Sequence, residues 1–182
     1  MKKTAVIVFD NFEEIEALTP VDILKRAGAS VEMLSASAGT AVSGRSGIKI
    51  EANSLLKDRL FETFDAVVLS GGPGTYAVAE NPELLEFLKR HFNIGKIVAA
   101  ICAAPIVLQN AGILSGQKCT GHSSIMERLG ECASEEGVVV SGSVVTSRGA
   151  GTAMDFSLKL AEMLEGEKAA AETAKSICLQ KS

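Results

Sequence analysis

Residues 96–112 read KIVAAICAAPIVLQNAG. Lys96–Ile101 is a short run of apolar, partly β-branched residues, the pattern of a strand buried on both faces. Ala103–Ala111 then reads as a helix that ends at Gly112. A buried strand turning directly into a helix is the repeating unit of a parallel α/β sheet.

Two further runs repeat the pattern. Thr4–Phe9 (TAVIVF) reads as a buried strand, and a helix follows it in DNFEEIEALTPVDILKRAG. Its apolar stripe is expected at Ile15, Leu18, Val21, Leu24 and, less regularly, Ile23, with Gly28 where a helix C-terminus belongs. Pro20 is expected either to kink this helix or to mark its first regular turn. Asp65–Ser70 (DAVVLS) is the third strong strand, stopped by GGPG. Asn81-Pro82 opens the next helix, with Leu84, Leu85, Leu88 and Phe92 facing inward. Val31–Ser35, Val138–Val140 and Val144–Ser147 read as strands, and short strands flank the turn-rich AGTAVSGRSGIKIEA. Thr152–Leu164 and Lys168–Leu179 read as amphipathic helices. No linker or repeat interrupts the chain. The expectation is one domain over residues 1–182, a flavodoxin-like doubly wound α/β sandwich with a mostly parallel sheet and helices on both faces.

Composition excludes several functions. The net charge is -4, tryptophan is absent and there is one tyrosine, so neither a basic footprint nor stacked aromatics offer a nucleic-acid surface. No run approaches the roughly 20 apolar residues of a membrane span. The N-terminal apolar stretch is too short for a signal peptide and is followed by acids, which points to the cytoplasm. Cys102, Cys119, Cys132 and Cys178 form no CxxC pair and only two histidines accompany them, so neither a metal site nor a cofactor is expected. In a reducing cytosol the four are expected as free thiols.

Chemistry in an open α/β sheet gathers beyond the carboxyl ends of the strands. Four segments deliver unusual residues there: Glu13, Glu14 and Glu16; Gly71, Gly72, Pro73 and Gly74; Cys102; and Arg148-Gly149. Cys102 sits in Ala100-x-Cys102-x-Ala104. Small residues two before and two after a nucleophile are what a sharp strand-to-helix turn requires, as in G-x-S-x-G. Such a turn holds the cysteine strained, exposes its sulfur and aims a helix N-terminus at it, which stabilises a thiolate. It also frees the Ala103 N–H for an oxyanion, with the Gly72 N–H as a second donor. The alternative is a thiol filling space. Glu16 lies off the centre of the helical stripe; turned toward the sheet edge, burial favours its protonated form. Glu13 and Glu14 are expected in solvent. His122, in KCTGHSS, is placed to return to the same edge, or else is a surface histidine. His91 is expected as a C-terminal dipole partner. GPGTYA at 72–77 matches a loose dinucleotide pattern, but Pro73 removes a donor and no acid-ended strand follows at the usual distance.

EEIEALTPVDILKRAG, VVLSGGPG, IVAAICAAP and VVTSRGAGTAMDF, in that order, resemble the ThiJ/PfpI superfamily, within it the DJ-one and YajL-like branch. The resemblance covers nearly the whole chain. It implies a flavodoxin-like homodimer whose nucleophile is Cys102, facing Glu16, with Gly71-Gly72 as the glycine pair and His122 nearby. Arg45 corresponds to an arginine reaching the neighbouring subunit's site, and Arg148 to the arginine of the SRG motif. The implied activity is cofactor-free chemistry on small reactive aldehydes or glycated adducts: glyoxalase-type conversion of methylglyoxal to lactate, or protein deglycation, in oxidative-stress protection. The alternatives are a redox sensor or redox-regulated chaperone acting through Cys102 oxidation, and an intracellular cysteine peptidase. Peptidase-type relatives carry histidine directly after the cysteine, whereas Ala103 stands here, which favours the first branch. Ser123 follows His122 where proline is common.

Overall fold

The computed structural model describes residues 1–179. In chain order its elements begin with β1 (Lys3–Val8), α1 (Glu14–Arg26), β2 (Ser30–Ser35), β3 (Ala41–Ser43), β4 (Lys49–Glu51), β5 (Ser54–Leu55), β6 (Ala66–Leu69) and α2 (Thr75–Val78). They continue with α3 (Pro82–Asn93), β7 (Ile97–Ile101), α4 (Pro105–Asn110), α5 (Met126–Leu129), β8 (Val138–Ser141), β9 (Val144–Ser147), α6 (Ala153–Glu165) and α7 (Glu167–Ser176). The expected C-terminal helix thus ends at Ser176, and residues 180–182 lie outside the described chain.

The three apolar runs form the middle of the sheet, where burial on both faces admits no polar alternation: β6 and β7 are buried throughout, and β1 after its first residue. The strand order is β5-β2-β1-β6-β7-β9-β8, parallel except for the β8–β9 hairpin, while β3 and β4 pair separately. Among the long strands, β2-β1-β6-β7-β9 is the flavodoxin-like doubly wound order. The chain leaves β1 toward β2 on one side and returns toward β6 on the other, so the β1/β6 border is the switch point. Right-handed crossovers then put helices on opposite faces: α1 packs on α6 and α6 on α7, and α3 packs on α4.

Two helices turn differently from the sequence expectation. In α1 the buried residues are Glu14, Glu16, Ala17, Pro20, Ile23 and Leu24, and Ile15 is 53% exposed. The inward face is rotated by about one residue, or 100°. Small Ala17 and Pro20 let the helix lie close to the sheet, and the rotation carries Glu16 inward. The helix continues through Pro20, which is therefore not its first turn. Neither acid stays in solvent: Glu13 is half-buried against Arg45, and Glu14 is buried, its Oε1 accepting from Ser46 N–H at 2.8 Å. Burial opposes the Glu14 charge, but hydrogen bonds from backbone amides outweigh it and hold the carboxyl below its ordinary value.

In α3 the inner face is Leu84, Phe87, Leu88 and His91, with Leu85 and Phe92 only partly buried. Asn81 caps this helix by accepting from Glu83 and Leu84 N–H groups. His91 stands in the last turn of α3 as expected, but as a buried core residue and not as a charged partner of the helix dipole. Its Nε2 accepts from Phe64 N–H at 3.0 Å and its Nδ1 donates to the Phe87 carbonyl at 2.7 Å, which fixes a neutral ring. Burial accordingly pushes its pKa down.

Candidate active site

Three strand ends at and beside the switch point supply the site. Cys102 follows β7 with φ of 66°, the left-handed conformation that a non-glycine residue adopts at an energetic cost. Its backbone is held from both sides: its N–H donates to the Ser147 carbonyl at 2.9 Å, and its carbonyl accepts from His122 N–H at 2.8 Å. The Ala100-x-Cys102-x-Ala104 spacing thus forms the strained elbow it predicts. Ala100 and Ala104 are completely buried.

The α1 rotation places Glu16 opposite, 1% exposed, with Oε2 accepting from Gly71 N–H at 2.9 Å. Carboxyl and sulfur face one point at Gly149, where a Cβ would stand 3.8 Å from Glu16 Oε1 and 3.9 Å from Cys102 Sγ. Gly71 lies between them: a Cβ there would stand 2.7 Å from both Cys102 Cβ and Glu16 Oε2, and 3.0 Å from Ala103 N. At Gly72, φ is +107° and a Cβ would meet the 11–13 backbone within 2.5–2.7 Å, so this turn is closed to any side chain. Gly71→Ala is expected to destabilise by about 1–3 kcal/mol through overpacking and to abolish reaction at the thiol. Gly39→Ala, which meets nothing within 4 Å, is the neutral control. Thermal unfolding of both variants checks this, and equal melting temperatures would contradict the packing described.

Electrostatics correct one expectation. Burial pushes the Cys102 thiol up to about 12, and the adjacent Glu16 charge adds to the rise; the amides of Ala103 and Gly72, directed at the sulfur, only oppose it. The helix beyond the elbow does not offset this. It begins only at Pro105 and runs for six residues. Glu16 is raised to about 7, again chiefly by burial, against which the Cys102 and Gly71 hydrogen bonds act. Burial thus favours the protonated form of both Glu16 and Cys102, and the thiol has a base beside it.

Gly149, which sequence reasoning placed at the sheet edge without a role, stands where three candidate side chains meet. A methyl group on it would lie 3.8 Å from Glu16 Oε1, 3.8 Å from His122 Cδ2 and 3.9 Å from Cys102 Sγ. Three side chains far apart in sequence thus surround one point. The exposed His122 ring accepts Ser124 N–H at Nδ1, so in the neutral ring Nε2 carries the hydrogen. A shallow cavity of about 410 Å³, lined by His122, Arg148, Gly149 and Thr152 among others, opens beside this point. Arg148 lines it but binds Glu135. Arg45 pairs with Glu13 at 3.1 Å, at the head of α1. Among the described residues no group of His, Cys, Asp and Glu side chains is arranged to hold a metal, and no helix is long and apolar enough to cross a membrane.

Fold and site together define a doubly wound α/β protein with an elbow-mounted cysteine opposite a buried glutamate. Comparison with known proteins places it further: a model of the DJ-1/PfpI family matches residues 2–163, and the chain belongs to that family. It is 36% identical to the glutathione-independent glyoxalase DJR-1.2 of Caenorhabditis elegans, over 99% of this chain and 98% of that protein. It is 37% identical to the putative cysteine protease YraA of Bacillus subtilis, over 81% and 89% of the respective chains. The solved structure of oxidized Toxoplasma gondii DJ-1 superposes with a TM-score of 0.96 at 34% identity, covering 100% of both chains.

Proposed function

We propose that this protein is a cysteine-dependent, cofactor-free enzyme of reactive carbonyls, converting methylglyoxal to lactate and acting on glyoxal or early glycated adducts by the same steps. The observation that carries the reading is the convergence of Cys102 Sγ, Glu16 Oε1 and His122 Cδ2 around Gly149. The likeness to a protein named as a glyoxalase supports it. The Cys102 thiol passes its proton to Glu16 as sulfur attacks the aldehyde carbon, and a hemithioacetal forms. Gly72 and Ala103 N–H groups receive the aldehyde oxygen as it gains charge. Glu16 gives the thiol proton on to that oxygen, completing the hemithioacetal, and then, again a carboxylate, removes the proton from that carbon and returns it to the adjacent one, with His122 at the oxygens. The first carbon is oxidised and the second reduced, so no external electron carrier takes part. Water cleaves the resulting thioester to lactate and free thiol. The test is lactate formation from methylglyoxal by the purified protein without glutathione; absence of lactate with folded protein would overturn the reading.

A second reading is redox sensing, in which Cys102 becomes a sulfinate that the protonated Glu16 holds. The raised Glu16 pKa supports it, as does the likeness to a DJ-1 solved in oxidized form. Equal peroxide oxidation at all four cysteines would count against it. Peptide hydrolysis is the weakest reading. Ala103 stands where the peptidase branch has its imidazole, and His122 Nδ1 already accepts from Ser124.

The same proposal includes one domain over residues 1–182, a cytosolic setting suited to four free thiols, and a homodimer. Exposed Ile15 and Ile48, at 53% and 52%, lie next to Arg45 and the Glu14–Ser46 contact, and support an apolar subunit surface there. Sedimentation at twice the monomer mass is expected, and Ile15→Glu should shift it toward monomer. A wild-type monomer at micromolar concentration would refute the dimer.

A further inference from the structure

Cys119 and Cys132 take no part in the chemistry above, yet they are built as a pair. Cys119 N–H donates to the Cys132 carbonyl at 2.7 Å, and Ser134 N–H donates to the Cys119 carbonyl at 2.8 Å. This short bridge, Cys119 opposite Ala133, fastens the two segments together. It sets Cys119 and Cys132 side by side on hydrogen-bonded segments, the arrangement from which a disulfide can form. Cys132 Sγ donates to the Leu129 carbonyl at 3.1 Å, and burial, with the neighbouring Cys132 thiol adding to it, raises Cys119 to about 12. Cys119 is completely buried while Cys132 is half-buried. A small oxidant therefore meets Cys132 first and Cys119 stands behind it.

We propose that Cys119 and Cys132 are a second redox site, a dithiol that a hydroperoxide converts to a disulfide. Hydrogen peroxide, the simplest such oxidant, transfers one oxygen to Cys132, giving a sulfenic acid and water. Cys119 sulfur then attacks Cys132 sulfur, the S–S bond forms, and the hydroxyl leaves with the Cys119 proton as a second water. Two electrons pass from the thiols to the peroxide. The bond closes residues 119–132, the segment that carries α5 and His122. His122 N–H holds the Cys102 carbonyl at the elbow, so the link tethers a segment that touches the active site without consuming its sulfur.

Protease mapping tests this directly. Trypsin cuts after Lys118, Arg128 and Arg148, leaving Cys119 in peptide 119–128 and Cys132 in peptide 129–148. The full chain is treated with graded hydrogen peroxide, capped with N-ethylmaleimide without reduction, and digested. The expected product is the two peptides joined, about 2 Da lighter than their sum and separated again by dithiothreitol. The same link is expected in Cys102→Ser, because the pair acts independently of the elbow. The oxidised Cys102→Ser protein should melt roughly 5–10 °C above its reduced form, and adding Cys132→Ala should remove that rise. Maleimide on both Cys119 and Cys132 in wild-type protein whose Cys102 is already fully oxidised would overturn the proposal. So would cross-linking of either only to Cys178.

Discussion

Cys102→Ser is expected to lower lactate formation from methylglyoxal by at least about 10³-fold while the protein stays folded. The elbow makes this a clean experiment. The strained φ of 66° is imposed by hydrogen bonds of the Cys102 backbone to Ser147 and His122, which a serine retains. The replaced atom is small and only partly buried, at the edge of the core, so a stability change within about 1 kcal/mol is expected. What is lost is the one atom able to add to a carbonyl and later leave as a thioester sulfur. A hydroxyl beside Glu16 is a weaker nucleophile and gives a poorer leaving group. The measurement is lactate released per mole of protein, with circular dichroism confirming the fold. Turnover within tenfold of wild type would show that Glu16 and His122 act on substrate without a covalent intermediate, and the proposed mechanism would fall.

The fold was legible because its signals are local. TAVIVF, AVVL and KIVAAI each state their burial in a few consecutive residues, and Asn81-Pro82 states a helix start. The elbow was legible for the same reason: the alanines around Cys102 describe a steric need within five residues. The face of α1 was not, because large Ile15 and Val21 outweigh small Ala17 and Pro20 in any count of hydrophobicity, yet close approach to the sheet favours the small ones. The burial of His91 is not legible because its partners, Phe64 and Phe87, are apolar residues that meet its nitrogens through their backbone and its ring through their own rings. The state of the Cys102 thiol was unreadable in principle. Its pKa depends on desolvation and on a carboxylate 86 positions away in the chain, and the local signal of a helix start pointed in the opposite direction. The Cys119–Cys132 pair is not legible in the sequence because no spacing motif marks two cysteines brought together by a short bridge.

Glu16→Gln is expected to move activity and stability in opposite directions. On activity, the amide cannot accept the Cys102 proton or carry one between carbons, so turnover should fall by about 10²–10⁴-fold with little change in KM. On stability, the side chain is held at about 7 in the fold against an ordinary 4.5. Below pH 4.5 it is protonated folded or unfolded and contributes no pH dependence. Between 4.5 and 7 the unfolded chain releases the proton while the folded protein keeps it, so folded stability falls as pH rises, and above 7 the loss is complete. Its size is on the order of 3 kcal/mol. Glutamine does not ionise and can still accept the Gly71 N–H through its amide oxygen, so the variant escapes this loss. At pH 8 Glu16→Gln should melt about 5–10 °C above wild type, and at pH 4.5 the two should nearly coincide. A variant less stable than wild type at pH 8 would mean that the Gly71 and Cys102 hydrogen bonds to the charged carboxylate outweigh its burial. In that case Glu16 enters the reaction as a settled anion, not as a group poised near neutrality to take and return a proton.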